Sequence, residues 1–352
     1  MFYTTDRFDG IFQRLCDEGK QGKISDMDLT RGGEFSYVRA GANVRTDETV
    51  PVAFFDRLFG SVLAGRADPL PFADLNATIL LPDNGPQIRV HVCQARGIRR
   101  MCIRLQPAEL PTPEGLCLPA HLVQLVATAK AGIVFVTGRT GSGKTTTLSA
   151  LIEHRCRHYP VPARLLTLED PLEYPLGVGT GWTVLSREVG VDVPTFQAGM
   201  VSAMRERPDT ILIGETRDAA AATQVLSAGS SGNLFLTTMH TPSVVQTVTR
   251  FGGFFQDGER SGVLAQLADL AVVFVSQRLL PRADGQGMTP VFEVCTPNNA
   301  IRNFIRTGKP EAIHGDGAMN NDNCITFARS LETAEKNGLV ERGRFRASSF
   351  LS

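Results

Sequence analysis

Five short apolar runs separated by helical stretches constrain the fold of this chain more than any other feature. The runs lie at residues 132–137, 164–168, 210–213, 233–238 and 270–276. Strands that are apolar along their whole length and alternate with helices indicate a parallel sheet buried on both faces, in a doubly wound α/β domain. Ligands of such domains bind at the carboxyl ends of the strands. We therefore expect the functional site among the polar residues that follow these runs.

The first run, GIVFVT, is followed at once by the glycine-rich sequence GRTGSGKTT. It matches the pattern G-x-x-x-x-G-K-[ST], in which backbone N–H groups wrap phosphates, Lys144 reaches the β/γ oxygens and the Thr145 hydroxyl binds Mg²⁺. A following helix adds the positive end of its dipole. The pattern predicts ATP and Mg²⁺ as ligands, and the lack of an N-K-x-D string disfavours a guanine nucleotide. The predicted binding residues are Gly138, Arg139, Thr140, Gly141, Ser142, Gly143, Lys144, Thr145 and Thr146.

The second run leads into the acidic sequence LEDPLEY. Acidic groups at a strand end beside a phosphate loop can bind metal or orient water, as phosphoryl transfer requires. Glu169 and Asp170 are therefore candidate metal-site residues, and Glu169 is also a candidate catalytic residue. The same letters in isolation would form a solvated acidic turn stopped by Pro171, and the sequence leaves that alternative open.

The third run, TILI, is followed by Gly214 and Glu215. Many nucleotide hydrolases carry a magnesium-binding Asp at the glycine position. Direct protein coordination of Mg²⁺ is therefore expected mainly from Thr145, with waters bridging to Glu215 and to the carboxylates at 169–170. Glu215 becomes the best candidate to activate the attacking water. The alternative is a surface carboxylate paired with Arg217.

The fourth run ends in the sequence MHT, which contains His240. At a strand end in this series the imidazole could sense the γ-phosphate through a hydrogen bond, although a lone histidine after a strand is more often structural. Between the third and fourth runs, LSAGSSG resembles the signature loop of transporter ATPases but stands on the wrong side of the Glu215 strand. We expect there a helix that starts at Asp218 and ends at a Gly229 C-cap.

A proline-rich segment at 105–119 divides the chain. Repeated proline blocks helix and removes ladder donors, so this segment is predicted to be an extended, semi-rigid linker. Before it, TILLPDNGPQIRVHV and RRMCIRL alternate apolar and polar residues, which predicts antiparallel strands of a small α+β domain. From about Asn298 the sequence predicts short helices that form an appendage to the sheet domain.

Composition excludes several other classes of protein. The 36 basic and 36 acidic residues give a formal net charge of zero, so a generally basic nucleic-acid-binding surface has no support. The seven cysteines form no C-x-x-C pair, which argues against a zinc site and for reduced thiols in the cytosol. No run approaches the roughly 18 apolar residues that span a bilayer, so we expect a cytoplasmic protein with at most peripheral membrane association.

Taken in order, the motifs resemble those of the type II/IV secretion and type IV pilus motor ATPases, most closely the pilus-retraction (PilT-like) and DotB-like branch. GRTGSGKTTT resembles the Walker A loop of this family, LTLEDPLEY its Asp box, SAMRERPDTILIGETRD its atypical Walker B region and LTTMHT its His box. NNAIRNFIR resembles the A-I-R-N-L-I-R motif of retraction motors, with Phe304 in place of Leu. The resemblance covers about residues 86 to 340.

The resemblance implies a homo-hexameric ring and a fold of two domains in each chain. The expected parts are a PAS-like α+β domain at 1–106, a hinge linker at 107–119, a RecA-like P-loop ATPase core at 120–300 and a C-terminal helical segment at 301–352. Hydrolysis would then drive motion between the domains, with the linker as the hinge.

Two arginines of the first domain also acquire a predicted role from the resemblance. Arg89 and Arg104 match the F-R-V-N and F-R-T-I-P arginines of the family. In that family such arginines complete an ATP site that lies on a neighbouring part of the ring. Such groups stabilise the charge spread over a transferring phosphoryl group. The alternative is that both arginines only solvate the polar face of a strand.

The machine implied by the resemblance is a pilus, conjugation or type IV secretion system, with the ring docked on its inner-membrane platform. The four-cysteine zinc insertion usual in extension motors is absent, which favours the retraction or DotB-like side. One of two customary histidines is also absent, because SSGN stands where the family has E-T-G-H. Two alternatives stay open: a RecA-like nucleic-acid translocase and a low-turnover, nucleotide-binding regulatory subunit.

Overall fold

In a computed structural model, the chain forms two compact units. The first unit comprises Met1–Leu110 with Asp170–Tyr174 and Glu188–Asp192, and the second comprises Pro111–Glu169, Pro175–Arg187 and Val193–Ser352. The structure describes residues 7–21, 23–39, 42–63, 74–80, 87–105, 110–159, 163–285, 287–315, 318–319 and 323–346.

The first unit is built on an antiparallel sheet. Its strands are β1 (Ile24–Thr30), β2 (Glu34–Arg39), β3 (Ala42–Thr49), β4 (Leu75–Leu80), β5 (Gln87–Ala95) and β6 (Ile98–Leu105). They are arranged in the order β3-β2-β1-β6-β5-β4. The predicted antiparallel pairing of the TILL and QIRVHV strands is confirmed, since Thr78 lies opposite Arg89 and Asn76 opposite His91. The Pro-Asp-Asn-Gly turn predicted between them lies outside the described residues.

Helices α1 (Arg7–Lys20) and α2 (Val52–Val62) complete the first unit. Strand β6 alternates as expected for a sheet covered on one side: Met101, Ile103 and Leu105 are buried, whereas the residues between them are more accessible. The ring of Phe8 from α1 meets Phe35 of the sheet at 5.1 Å between centroids, in an edge-to-face arrangement. An aromatic core between two helices and one sheet face makes this unit α+β, as predicted.

The second unit is built on a mixed sheet. Its strands are β7 (Gly132–Thr137), β8 (Arg164–Glu169), β9 (Thr183–Glu188), β10 (Thr210–Ile213), β11 (Leu234–Met239), β12 (Ala271–Pro281), β13 (Met288–Cys295) and β14 (Cys324–Ile325). The order is β14-β13-β12-β7-β11-β10-β8-β9. Strands β12, β7, β11, β10 and β8 pair in parallel and correspond to the five apolar runs. The predicted α/β sheet is confirmed, and β7, β11, β10 and β8 are neighbours in it.

The helices of the second unit are α3 (Ala120–Thr128), α4 (Lys144–His158), α5 (Phe196–Ala203), α6 (Ala219–Ser230), α7 (Val244–Gly253), α8 (Asp257–Leu270), α9 (Asn299–Arg306), α10 (Ala312–Gly315) and α11 (Phe327–Lys336). Within the described part of the chain, no helix combines the length and hydropathy that a membrane crossing needs. Strands β13 and β14, paired antiparallel, extend the sheet beyond the predicted parallel strands.

Helix α6 starts as predicted but does not end as predicted. The Asp218 side chain is the N-cap and accepts a hydrogen bond from the Ala221 N–H at 2.8 Å. The C-cap is Ser231, so the predicted Gly229 C-cap is wrong. Gly229 lies inside the helix, where a Cβ would come within 2.8 Å of the Ile133 side chain. Close packing of α6 on β7 therefore explains this glycine, not a left-handed helix end.

The described end of the proline-rich segment is a turn and not an extended strand. The Leu116 N–H donates to the Thr112 carbonyl at 3.0 Å, and the Leu118 N–H donates to the Pro113 carbonyl at 2.9 Å. Proline is compatible with the first position of such a turn, because its missing N–H is not needed there. Proline disfavours the interior of a helix but not the first turn, so the predicted extended linker is wrong for residues 112–118.

The C-terminal appendage packs against α8 through the motif NNAIRNFIR. Ile301 and Ile305 are buried, which fixes the orientation of α9. The Arg302 guanidinium donates to the carbonyls of Ala268 and, at 3.1 Å, Ala271, and so caps the C-terminal end of α8. Arg306 pairs with Asp269 at 2.6 Å. The residues of this motif thus join the appendage to the sheet domain.

Candidate functional site

The glycine-rich loop connects β7 to α4 at the carboxyl end of the parallel strands. Gly138, Gly141 and Gly143 have φ angles of +152°, +76° and +82°, which residues with a Cβ rarely adopt. At Gly138 a Cβ would also lie 2.4 Å from the Ser142 Oγ. Lys144 begins α4, and its ammonium group donates to the Arg139 carbonyl at 3.1 Å. The lysine therefore folds back over the loop.

This loop fits a nucleotide phosphate. The N-cap of α4 is Gly143, and no side chain caps the helix, so the first N–H groups of α4 are available to an anion together with the positive end of its dipole. The Ser142 hydroxyl is buried without a hydrogen-bond partner among the described residues. A buried polar atom without a partner is costly and indicates a missing ligand. When bound, Mg²⁺ would supply positive charge to the phosphate oxygens, with the Thr145 hydroxyl as the direct protein ligand.

Glu215 is held at the carboxyl end of β10 by hydrogen bonds on either side of it. The Gly214 N–H donates to the Leu168 carbonyl at 2.9 Å, and the Gly214 carbonyl accepts from the Thr238 hydroxyl at 2.5 Å. The Thr216 N–H donates to the Thr238 carbonyl at 2.9 Å. The backbone around Glu215 is thus tied to β8 and β11, which fixes the point from which its side chain extends.

His240 follows β11 and bridges the phosphate loop and Glu215. Its Nδ1 lies 3.2 Å from the Thr140 hydroxyl, and its Nε2 lies 3.6 Å from a Glu215 oxygen. Burial and the nearby charge of Lys144 lower the pKa of His240, against the opposite effect of Glu215. The imidazole is therefore neutral at neutral pH and carries a single N–H. The Arg217 guanidinium, the alternative partner of Glu215, lies over the Phe196 ring, 5.8 Å from its centroid.

Glu169 ends β8, which lies beside β10 and is separated from β7 by β11 and β10. Its side chain is buried, with a relative accessibility of 5%, so a solvated acidic turn does not describe this residue. Asp170 is exposed and belongs to the first unit, unlike Glu169. Among the described residues no group of three or more His, Cys, Asp or Glu side chains is arranged to hold a metal ion. Mg²⁺ tolerates coordination by one protein hydroxyl and several waters, so the expected role of Thr145 stays a prediction.

Comparison with known proteins places this site in a family. The family described as type II/IV secretion system protein matches residues 116–336, which is more than half of the chain. This chain belongs to that family. The predicted resemblance is thereby confirmed.

Relatives of the secretion family align with most of the chain. The type IV pilus ATPase PilU of Pseudomonas aeruginosa is 32% identical over 308 residues, covering 82% of this chain and 77% of PilU. The retraction ATPase PilT of the same organism is 34% identical over 245 residues, 68% of each protein. The uncharacterized protein YggR of Escherichia coli K12 is 35% identical over 269 residues, covering 76% of this chain and 80% of YggR.

Solved structures of family relatives share the fold. The crystal structure of the pilus retraction motor PilT with bound ADP matches with a TM-score of 0.80 at 28% identity, covering 94% of both chains. The ATPase DotB of Legionella pneumophila matches with a TM-score of 0.77 at 22% identity, covering 95% of this chain and 93% of DotB. A likeness across both units confirms the predicted arrangement of an N-terminal domain followed by a P-loop domain.

The two arginines that the secretion-family motifs single out lie side by side in the first unit. Arg89 of β5 and Arg104 of β6 are register partners. The Arg104 Nε lies 3.0 Å from Asp26 Oδ1, and the Arg89 Nη1 lies 3.3 Å from Glu173 Oε1. The Arg104 side chain is 67% exposed and the Arg89 side chain is 35% exposed. Each arginine thus has an acidic neighbour within its own unit, and a role at ATP stays a prediction.

Sequence reasoning missed a buried polar network beneath the phosphate loop. The Thr137 and Ser276 hydroxyls lie 2.7 Å apart, and the Gln277 side chain hydrogen-bonds to both the Ser142 carbonyl and the Thr147 hydroxyl. A signal was present in the sequence: Ser276 and Gln277 interrupt the otherwise apolar run of β12. Polar residues in a strand buried on both faces need partners, and here the partners are in the loop and α4.

Proposed function

We propose that this chain hydrolyses ATP as a motor subunit of a pilus-retraction or secretion machine. The observation that carries the proposal is the convergence of Lys144, Glu215 and His240 around one glycine-rich loop. The Thr140 hydroxyl of that loop lies 3.2 Å from His240 Nδ1, and His240 Nε2 lies 3.6 Å from a Glu215 oxygen. Membership of the secretion family and similarity to the ATPases PilT and PilU support the same function.

Different residues of this site would bind the phosphates, hold the metal ion and accept the proton of the attacking water. The loop N–H groups, the start of α4 and Lys144 bind and orient the phosphates, which accounts for most of the catalysis in reactions of this kind. Thr145, Glu169 and Glu215 are the residues that would hold Mg²⁺, which when bound would neutralise charge on the phosphate oxygens. The Glu215 carboxylate accepts the proton of the attacking water. Neutral His240 lies between the Thr140 hydroxyl of the loop and the Glu215 carboxylate and adds no positive charge there.

The finer parts of the proposal concern assembly. Arg89 and Arg104 would complete the ATP site of a neighbouring copy in a homo-hexameric ring, because exposed arginines can exchange their acidic partners at little cost. The domain limits 1–106, 107–119, 120–300 and 301–352 define the moving parts. The ring would dock peripherally on the inner-membrane platform of its machine, where hydrolysis drives motion between the domains.

Steady-state release of inorganic phosphate from Mg-ATP tests the function. The wild-type chain should turn over at micromolar protein, with a rate per chain that rises with protein concentration as a ring assembles. Lys144→Ala should abolish turnover and weaken ADP binding, whereas Lys130→Ala, an exposed lysine before β7, should change neither. Equal turnover by Lys144→Ala and wild type would refute the proposed site. Turnover that requires single-stranded DNA would indicate a translocase instead.

A further inference from the structure

We infer that Gln277 is a positioning residue that holds the phosphate loop in its nucleotide-binding conformation. The inference rests on the proposed function and adds a residue to it. Gln277 lies on β12, with a relative accessibility of 2%. It is not part of the glycine-rich motif and is separated from Ser142 by 135 positions in the chain. Its effect on ATP therefore has to pass through the loop.

Both ends of the Gln277 amide are used. The Nε2 donates to the Ser142 carbonyl at 2.7 Å, and the Oε1 accepts from the Thr147 hydroxyl at 2.6 Å. Ser142 belongs to the loop and Thr147 to the first turns of α4. The Ser142 carbonyl selects one orientation of this buried amide, because turning it would bring the amide oxygen against the carbonyl oxygen, acceptor to acceptor. Gln277 thus ties the loop and the helix to the same strand.

The bond to the Ser142 carbonyl fixes the next peptide N–H. A trans peptide is planar, so its C=O and N–H point in opposite directions. When the Ser142 carbonyl points towards Gln277, the Gly143 N–H points away from Gln277, to the side on which the loop wraps phosphate. Gly143 has φ +82°, and a glycine offers little resistance to rotation of this peptide. Gln277 supplies the restraint that the glycine itself lacks.

Steric contacts show how closely β12 supports the loop. A Cβ on Gly138 would lie 2.5 Å from the Gln277 carbonyl oxygen, and a Cβ on Gly143 would lie 2.9 Å from the Gln277 Nε2. The same residue therefore touches the first and the last glycine of the motif. Ser276, its neighbour, pairs with Thr137 in register, and their hydroxyls lie 2.7 Å apart. The register of β12 against β7 is what places Gln277 under the loop.

The inference predicts a loss of nucleotide affinity that is separable from a loss of stability. With Gln277→Met, a side chain of similar length without hydrogen bonds, the Ser142–Gly143 peptide should sample more orientations. Part of the binding energy must then be used to order the loop. The dissociation constant for a fluorescent ADP analogue with Mg²⁺ should rise at least about tenfold, and the KM for ATP should rise with it. The kcat should change less, because the loop is ordered once ATP is bound.

Two further variants locate the effect. Gln277→Glu keeps an acceptor for Thr147 but places a carboxylate against the Ser142 carbonyl, so it should weaken ADP binding more than Gln277→Met does. Thr147→Val removes only the second bond and should give a smaller loss in the same direction. Gln266→Met, at an exposed position of α8, is the matched control and should bind ADP as wild type does.

Thermal unfolding without nucleotide separates the two possible roles. A merely structural Gln277 would lower the melting temperature and leave the ADP affinity of the folded molecules unchanged. Unchanged affinity in Gln277→Met would therefore overturn the inference. If Gln277→Met does not fold, Thr147→Val decides, and wild-type affinity in that variant would overturn the inference as well. Failure of the wild-type chain to bind ADP would instead refute the proposed function, so the two failures are distinguishable.

Discussion

The strand ends of the second unit and the open sheet face of the first unit hold their charged residues in opposite ways. In the second unit, Lys144 and Glu169 have relative accessibilities of 8% and 5%. In the first unit, the Arg104 side chain is 67% exposed beside Asp26. Buried polar groups lose much when a partner is removed, whereas exposed ion pairs contribute about 0–1 kcal/mol. The second unit is thus built to keep one geometry, and the arginines of the first unit can change partners.

The largest effect that would sharpen this contrast is expected at Glu215. In Glu215→Gln the carboxamide keeps the shape of the side chain but cannot accept the proton of the attacking water. Turnover should fall by about 10²–10⁴, while the affinity for ADP stays at the wild-type value. Phosphate release and ADP titration measure the two quantities. Glu259→Gln, an exposed position on α8, serves as the control.

Wild-type turnover in Glu215→Gln would contradict the assignment. The proton-accepting role would then move to Glu169, a buried carboxylate at the end of the neighbouring strand β8. The phosphate loop and the fold would be unaffected by this change of assignment.

A somewhat smaller effect is expected at the arginines, and it would test whether exposed residues act only after assembly. Arg89→Ala and Arg104→Ala should each lower turnover by about 10²–10³, as the loss of one preorganised donor does. The melting temperature should change little in Arg104→Ala, because Arg104 lies in an exposed ion pair, and somewhat more in Arg89→Ala, because the pair of Arg89 with Glu173 is half-buried. Arg31→Ala, which removes an exposed pair with Asp56 in the same unit, should change neither quantity. Unchanged turnover in both arginine variants would show that these residues only solvate the polar face of the sheet.

The smallest effect concerns a buried carboxylate on β13, which pairs with β12 on the side away from β7. Glu293 is 2% exposed on its side chain, accepts the Val244 N–H at 2.7 Å and pairs with the His314 Nε2 at 2.5 Å. The hydrogen bond to Glu293 raises the pKa of His314. The charged pair therefore contributes stability that is complete below the unfolded-state pKa of about 6.5 and is lost as pH rises through the raised native value.

His314→Gln should thus lower the melting temperature at pH 6 but not at pH 9. The difference at pH 6 should stay below about 4 °C, the shift that about 1 kcal/mol gives in a unit of this size, because water reaches part of the imidazole. Differential scanning fluorimetry across this pH range measures it. An equal loss at both pH values would show that the imidazole only packs and that its charge is unimportant.

Much of the fold and the choice of family follow from local pattern. The five apolar runs became the parallel strands, and the residues after four of them became the tips of adjacent strands, as predicted. The predicted class of protein, a P-loop ATPase of the pilus-retraction and secretion family, is confirmed by the family match and the relatives. These features are predictable because a strand buried on both faces must be apolar, and a phosphate loop must be glycine-rich.

Features that depend on distant partners were not predictable in this way. Strand β13 carries Glu293 in its middle, which breaks an apolar pattern, and the charge is tolerated only because His314 and the start of α7 satisfy it. Gln277 likewise interrupts the apolar pattern of β12, and its burial is explained only by its partners 130 and 135 positions earlier in the chain. Periodicity describes which side of an element is buried, but not which distant group a buried side chain meets.

Gly214 now has a different meaning from the other glycines of the site. Its φ is not in the left-handed region, and an added Cβ would stop 3.7 Å from the nearest atoms, the Glu169 Cα and the Leu168 carbonyl oxygen. Folding therefore leaves this position free to vary, unlike Gly138 or Gly143. Steric contact at the Cβ therefore does not require glycine at this position, and the reason for a residue without a side chain beside Glu215 has to be sought in the chemistry of the site.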